Sequence, residues 1–257
     1  MSTRVQTVSQ QLRDGIMRGN YPGGFRMNEV DLATEFGVSR TPIRSALSSL
    51  AAEGLLEYTP NAGYAVRSYS AKDILGVYEA RAALEGLAAR QAVENGLDDE
   101  QRERMARVIR ETEVMLNRYA RGEDSWGEEA GRRWAQANVQ FHTPIVEASQ
   151  NDHLHWLLRK SRHIPLVHAT LYRVIDLKRI ARAHEEHIYI LEALSNRQAV
   201  RAEALAREHI YKAGVFVVER MRAVEAQRET RVALKKTRPH PALSAQGPSS
   251  PALQEKA

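Results

Sequence analysis

Beyond Arg67 the period-two alternation of a half-buried strand does not recur, and from Ser70 onward apolar residues return at helical intervals almost throughout. That change of period predicts two architectures in one chain, mainly α overall: a short N-terminal module of helices and a hairpin, then an all-α bundle. The 257 residues give each room to bury its own core. We place the first domain at 1–69 and the second at 70–222. A basic tail at 223–257 is expected to be disordered, because Lys and Arg mix there with Pro, Ser and Ala, and no apolar period is sustained beyond about residue 228.

The tail also decides what the net charge of +5 means. Residues 220–257 hold eight Lys/Arg against three Asp/Glu, so they account for all of it and leave the body neutral. Bulk charge is then poor evidence for nucleic-acid binding, and local placement must carry that case. The chain has no cysteine, which removes disulfides and thiolate metal sites and leaves His, Asp, Glu or Asn to hold any metal. No stretch approaches a membrane span, and the N-terminal residues lack the apolar core of a signal peptide. A soluble, cytoplasmic protein without a membrane partner is expected.

In the first domain, Val5, Val8, Leu12, Ile16 and Met17 fall near helical spacing before Gly19-Asn20. A turn at Tyr21-Pro22-Gly23-Gly24 follows. Asn28 is placed to cap a short second helix with Glu29 and Asp31 in its first turn, and Val30, Ala33 and Phe36 are expected to face the core. Ser39 or Thr41 caps a third helix, where Pro42 is tolerated in the first turn. Ile43, Ala46, Leu47 and Leu50 lie at i, i+3, i+4 and i+7, which commits one face to the core and turns Arg40, Thr41, Arg44, Ser45 and Ser48 outward. Such a face suits a major groove, since arginine can give two parallel hydrogen bonds to guanine, while Ser, Thr and the helix N-terminus bond phosphates. After Gly54, the runs Leu55–Tyr58 and Tyr64–Arg67 flank a Pro/Gly turn and predict a hairpin. Spacing alone also allows an ordinary three-helix module with an exposed polar face.

The run Leu32-Ala33-x-x-Phe36-Gly37-Val38-Ser39-Arg40-Thr41-Pro42-Ile43-Arg44-x-Ala46-Leu47-x-x-Leu50-x-x-Glu53-Gly54-Leu55, followed by the Gly63 turn, closely resembles the winged helix-turn-helix domain of GntR-family repressors. The resemblance implies that Arg40 and Arg44 read bases and that Ser39, Thr41 and Pro42 set the helix against the backbone. It also implies that Gly63 brings the wing tip near the minor groove. One such footprint is small, so a homodimer on a palindromic operator is expected.

In the second domain, Ser70-x-x-Asp73 and Ser125-x-x-Glu128 resemble capping boxes. Asn95-Gly96, Asp98, Asn151-Asp152, Asp176 and Asn196 mark further boundaries, and Pro144 and Pro165 should kink or break their helices. Polar residues on apolar faces are the informative ones. Arg81 and Glu85 sit within the stripe of Ile74, Val77, Tyr78, Leu84 and Ala88; they could pair with each other or serve an effector carboxylate. Asn138 and His142 share a face with Trp134, Phe141 and Ile145, His187 is centred among Ile180, Leu191 and Leu194, and His209 among Leu205, Ala213 and Phe216. Three imidazoles aimed inward from separate helices are costly unless hydrogen-bonded or bound to a cation. His153, His155, His163, His168, His184 and His240 show no such convergence and are read as structural or exposed.

The succession Tyr78-Glu79-x-Arg81-x-x-Leu84-Glu85, Asn138-x-x-Phe141-His142, Glu186-His187-x-x-Ile190 and His209-Ile210 resembles the FCD effector-binding domain of the FadR-type GntR subgroup, over roughly 71–220. That resemblance implies a bundle of six or seven helices. In metal-binding members an Asp and three His hold a divalent ion, often zinc or nickel, at the floor of a pocket for small organic acids. It thereby implies ligands at Asn138, His142, His187 and His209, with Arg81 facing the effector. The chain departs from the pattern at Asn138, where Asp is usual and an amide oxygen is the weaker zinc ligand. A transcription regulator, a repressor by this resemblance, controlled by a small carboxylate is the leading reading. The alternatives are a metal-dependent hydrolase-like domain fused to the DNA-binding module, and a sensor that lost its metal with Asn138 and uses Arg81 alone.

Overall fold

Several helices in each half of the chain start at residues with capping backbone, some of them with a side-chain cap. A computed structural model describes residues 3–161 and 175–236. In the N-terminal half, α1 (Thr3–Met17) is followed by β1 (Arg26–Met27), α2 (Glu29–Glu35), α3 (Arg40–Ala52), β2 (Leu56–Thr59) and β3 (Gly63–Val66). The Asn28 side chain accepts the N–H groups of Val30 and Asp31 and so starts α2. Ser39 holds the N-cap position of α3 in extended backbone without a side-chain cap, which leaves Arg40 as the first helical residue. The four positions expected in the α3 core, Ile43, Ala46, Leu47 and Leu50, are all fully buried, packed on Val8, Leu12 and Ile16 of α1.

Two expectations for this half are corrected. Val30 is 53 % exposed, and Leu32 takes the core position of α2; a seven-residue helix is too short for its apolar spacing to fix the phase. The hairpin gains a third strand, since β1 pairs antiparallel with β3 through Arg26–Ala65 and Met27–Tyr64, giving the order β1-β3-β2. The wing turn requires Gly63, whose φ of +79° lies in the left-handed region.

The second half contains α4 (Ala71–Asn95), α5 (Asp99–Ala120), α6 (Glu128–Ala148), α7 (Asp152–Ser161), α8 (Leu177–Ser195) and α9 (Ala199–Lys236), six helices among the described residues. Ser70 with Asp73, and Asp98 with Gln101, form complete capping boxes. Asp176 caps α8 through Arg179 N–H. The Ser125 box does not form; Gly127 is the N-cap of α6 and gives it no side-chain cap. Pro144 does not break α6, which runs on to Ala148. The carbonyl whose partner Pro144 removes belongs to Gln140, on the exposed side, where water can satisfy it. Pro165, His163, His168 and His240 lie outside the described residues.

A compact unit ends at Arg222. The tail from 223, expected to be disordered, is helical through Lys236, because its run of Ala, Glu, Gln, Arg and Lys favours helix over coil. Residues from 237 lie outside the described ones.

Two glycines bring α4 and α9 unusually close. A Cβ at Gly214 would stand 2.4 Å from Tyr78 Cβ, and one at Gly86 would stand 3.1 Å from the Glu203 carbonyl oxygen. The contacts pair 78 with 214 and 86 with 203, so the helices run antiparallel. Arg81 of α4 therefore lies about level with His209 of α9, between the two close approaches, and Glu85 lies next to the second.

Candidate metal centre and nucleic-acid interface

Four helices each supply part of one buried polar cluster. On α6, the i,i+4 spacing of Asn138 and His142 sets both on the inward face beside fully buried Phe141. His187 from α8 and His209 from α9 complete it, and all three imidazoles are buried. Their available nitrogens lie within 4.8 Å of one another, and His142 Nε2 stands 3.2 Å from His209 Nε2. Phe141 stacks on the His187 ring at 3.9 Å between centroids and 13° between planes, which fixes its orientation.

The other nitrogens of two rings are held by carboxylates. His142 Nδ1 lies 3.1 Å from Glu85 Oε2, and His209 Nδ1 lies 2.7 Å from Glu186 Oε2. Each carboxylate also pairs with an arginine: Arg81 Nη2 donates to Glu85 Oε1 at 2.9 Å, and Arg179 Nη1 reaches Glu186 Oε2 at 3.5 Å. Two Arg-Glu-His chains thus enter the site from α4 to α6 and from α8 to α9.

This geometry constrains the tautomers. An ionised carboxylate only accepts, so His209 Nδ1 carries the hydrogen of its bond to Glu186, and the His209 Nε2 lone pair of the neutral ring faces His142 Nε2 across 3.2 Å. A hydrogen on His142 Nε2, or a cation between the rings, would satisfy that contact. Burial, reinforced by His142, pushes the His209 pKa down to about 4. His187 is held well below the ordinary range by burial and by the two neighbouring rings. A proton shared by His142 and His209 would satisfy that one pair. It would leave His187 Nε2 and Asn138 Oδ1, both buried and without a hydrogen-bond partner among the described residues. A divalent ion can satisfy all four atoms together. Tetrahedral nitrogen ligands at about 2.0–2.1 Å from zinc stand roughly 3.3 Å apart, which matches the closest pair.

Beside the cluster is a cavity of about 60 Å³, lined by Tyr78, Arg81, Asn138, Arg179, His209 and Phe216 among others. That is room for a few waters or one carboxylate group. Arg81 stacks over Tyr78 at 5.0 Å, and its Nε is buried without a partner among the described residues. The structure therefore brings together Arg81, Asn138 and the three histidines expected from the sequence. Glu85, expected beside the effector, has its oxygens on Arg81 and His142. Arg179 was not singled out by sequence reasoning, and Glu186 entered only as part of the FCD-like motif, without a role. His153 and His155 are exposed, and His184 is buried apart from the trio.

The second site is the outer face of α3. Ser39, Arg40, Thr41, Arg44, Ser45 and Ser48 are exposed, Pro42 is half-buried in the first turn, and Gly63 opens β3 directly after the wing turn. The arginines are not loose: Glu29 of α2 accepts hydrogen bonds from both.

Comparison with known proteins identifies both domains. Residues 4–66 match the model for bacterial regulatory proteins of the gntR family, and residues 76–212 match the FCD domain. The chain is 34 % identical over 208 residues to the Nta operon transcriptional regulator of Aminobacter aminovorans, covering 81 % of this chain and 91 % of that protein. It is 28 % identical to the HTH-type transcriptional repressor GlaR of Escherichia coli, over 77 % of this chain and 89 % of the relative. The solved structure of E. coli McbR/YncC superimposes with a TM-score of 0.62 at 20 % identity, covering 86 % of this chain and 99 % of that one, a likeness of fold.

Proposed function

The chain belongs to the GntR family and carries an FCD domain, and from this premise we propose that it is a repressor whose operator binding is set by a small carboxylate held beside a divalent metal. It is a DNA-binding transcriptional regulator rather than an enzyme, as its family and named relatives are, and the hydrolase alternative is set aside on that ground. None of its described helices is long and apolar enough to cross a membrane. The proposed division of labour follows the sequence boundaries, with 1–69 reading DNA and 70–222 sensing and dimerising.

One observation carries the sensing proposal: two carboxylate-anchored histidines face each other at 3.2 Å, and two further polar atoms, His187 Nε2 and Asn138 Oδ1, are buried in the same cluster without a partner among the described residues. His142, His187 and His209 would hold the ion, with Asn138 as a weaker fourth ligand, and Glu85 and Glu186 would fix the ligand rings. A bound ion supplies a Lewis-acidic anchor for a carboxylate. Arg81 and Arg179 supply complementary charge from the cavity wall, and enclosure strengthens that attraction. On the DNA side, Arg40 and Arg44 read bases, and Ser39, Thr41, Ser45 and Ser48 bond phosphates. A homodimer on a palindromic site supplies the needed footprint.

Tag-free protein should carry about one zinc or nickel ion per chain by elemental analysis. His187→Ala should lose both the ion and the binding of a carboxylate ligand found by thermal-shift screening, while operator binding persists and ceases to respond to that ligand. A variant that loses its ion yet responds normally would move sensing to Arg81 and Arg179 alone.

A further inference from the structure

The DNA-reading face contains an acidic residue where phosphates would favour none. Glu29, the first residue of α2, accepts from Arg40 Nη2 at 3.0 Å, and from Arg44 Nη2 at 2.9 Å and Nε at 3.1 Å. Its own side chain is mostly covered, whereas Arg40 and Arg44 are 59 % and 63 % exposed. Exposed ion pairs contribute little to folding. A fold-stabilising role therefore does not explain a carboxylate that engages both outward arginines of one helix.

The geometry of the grip is informative. Glu29 takes Arg44 side-on, through Nε and Nη2, which leaves the end-on edge formed by Nη1 and Nη2 facing away from the carboxylate. That edge presents the two parallel donors that guanine O6 and N7 accept. Holding a long side chain in one rotamer before contact also removes an ordering cost from binding. A phosphate can approach an arginine from many directions and gains nothing from such a grip. It must also approach the negative charge of Glu29.

We propose that Glu29 is a specificity-determining residue, gripping Arg40 and Arg44 so that they favour base edges over phosphates and thereby widening the gap between operator and random DNA. The inference rests on the reading of Arg40 and Arg44 as base contacts, and its test separates the two. The full-length protein is titrated against a duplex selected by the wild type from a random-sequence pool and against a scrambled duplex of the same composition. Salt is varied in both series.

Glu29→Gln removes the charge and weakens the grip. It should bind the scrambled duplex about 3–10-fold more tightly, with a salt slope steeper by roughly one, and gain nothing on the selected duplex. The selected-to-scrambled ratio should therefore fall at least about 3–10-fold. Glu29→Asp keeps the charge but shortens the reach, and its ratio should fall as well. Equal gains on both duplexes for Glu29→Gln, or a wild-type ratio for Glu29→Asp, would reduce Glu29 to a repulsive charge and overturn the proposal. An unchanged ratio in both variants would make the ion pair a brace between α2 and α3 and overturn it too. Arg44→Ala guards the premise: equal losses on the two duplexes would show that Arg44 is a phosphate contact, whatever Glu29 does. Unchanged thermal melting of each variant confirms that folding is not the cause.

Discussion

Stripping the metal should make this fold acid-sensitive through its own histidines. Burial, with His142 adding to it and the Glu186 hydrogen bond opposing it, lowers the His209 pKa from 6.5 to about 4. An unfolded chain's histidine titrates near 6.5, so between these values the unfolded state binds the extra proton. Stability is therefore undiminished above about pH 6.5 and lost progressively as pH falls toward about 4. The full interval of about 2.5 pH units, at about 1.4 kcal/mol each, gives a loss on the order of 3 kcal/mol. At about pH 5 roughly 2 kcal/mol of it should already have gone. His209 is only 3 % exposed, so solvent screening takes little from these figures. His187 is shifted in the same direction and adds to the effect. The assay is urea unfolding of chelator-treated protein at about pH 7.5 and about pH 5, beside His209→Gln, which cannot titrate. Between these conditions the wild type should lose about 2 kcal/mol more than the variant. Parallel losses in the two proteins would refute the reasoning.

Two further substitutions test the packing and the ligand set. Gly214→Ala places a Cβ 2.4 Å from Tyr78 Cβ; α9 must retreat from α4, at a cost of about 1–3 kcal/mol in thermal or chemical unfolding. Zinc affinity by chelator competition should fall with it, because His209 rides on the same helix; unaltered zinc binding would show that the close approach does not position the site. Asn138→Asp should tighten zinc by at least roughly tenfold, about 1.4 kcal/mol, and lower the stability of the metal-free protein, since a buried carboxylate without its cation is costly. Equal effects on loaded and stripped protein would remove residue 138 from the ligand set.

What was legible in the sequence was local. The α3 core face and the Ser70 and Asp98 starts follow from spacing and capping within one helix, and all three are present. The three inward histidines were legible because each sits in the apolar stripe of its own helix. Glu186 and Arg179 were not, because their meaning arises only when α8 packs beside α9 and brings Glu186 to His209, 23 residues away. Within the motif Glu186-His187-x-x-Ile190 the histidine carried the signal and Glu186 had no partner to give it a role. Pro144 illustrates the converse: a local rule predicted a break, and the exposed position of Gln140 removed the reason for one. Strand β1, at two residues, is too short to show any period.

The two Arg-Glu-His chains imply how metal and effector should influence each other. In each chain one carboxylate links a guanidinium on the cavity side to an imidazole on the metal side, and Glu186 also pairs with Lys212 Nζ at 3.5 Å. An anion that enters the cavity and takes a share of Arg81 or Arg179 leaves more of the carboxylate's charge for the imidazole, whose metal-ligating nitrogen becomes more basic. The ion should then be held more tightly. Thermodynamic reciprocity requires the ion to tighten the anion by the same factor. Glu186→Gln removes the charge that does this on one side, so it should lower metal affinity by about 10–100-fold and shrink the mutual factor with it. Zinc titrations with and without a carboxylate ligand, and ligand titrations with and without zinc, measure the factor twice. Equal factors above one in the wild type, reduced together in Glu186→Gln, are the expected result. A coupling of the same size in wild type and variant would mean that direct contact between anion and metal carries all of it and the Glu186 carboxylate none.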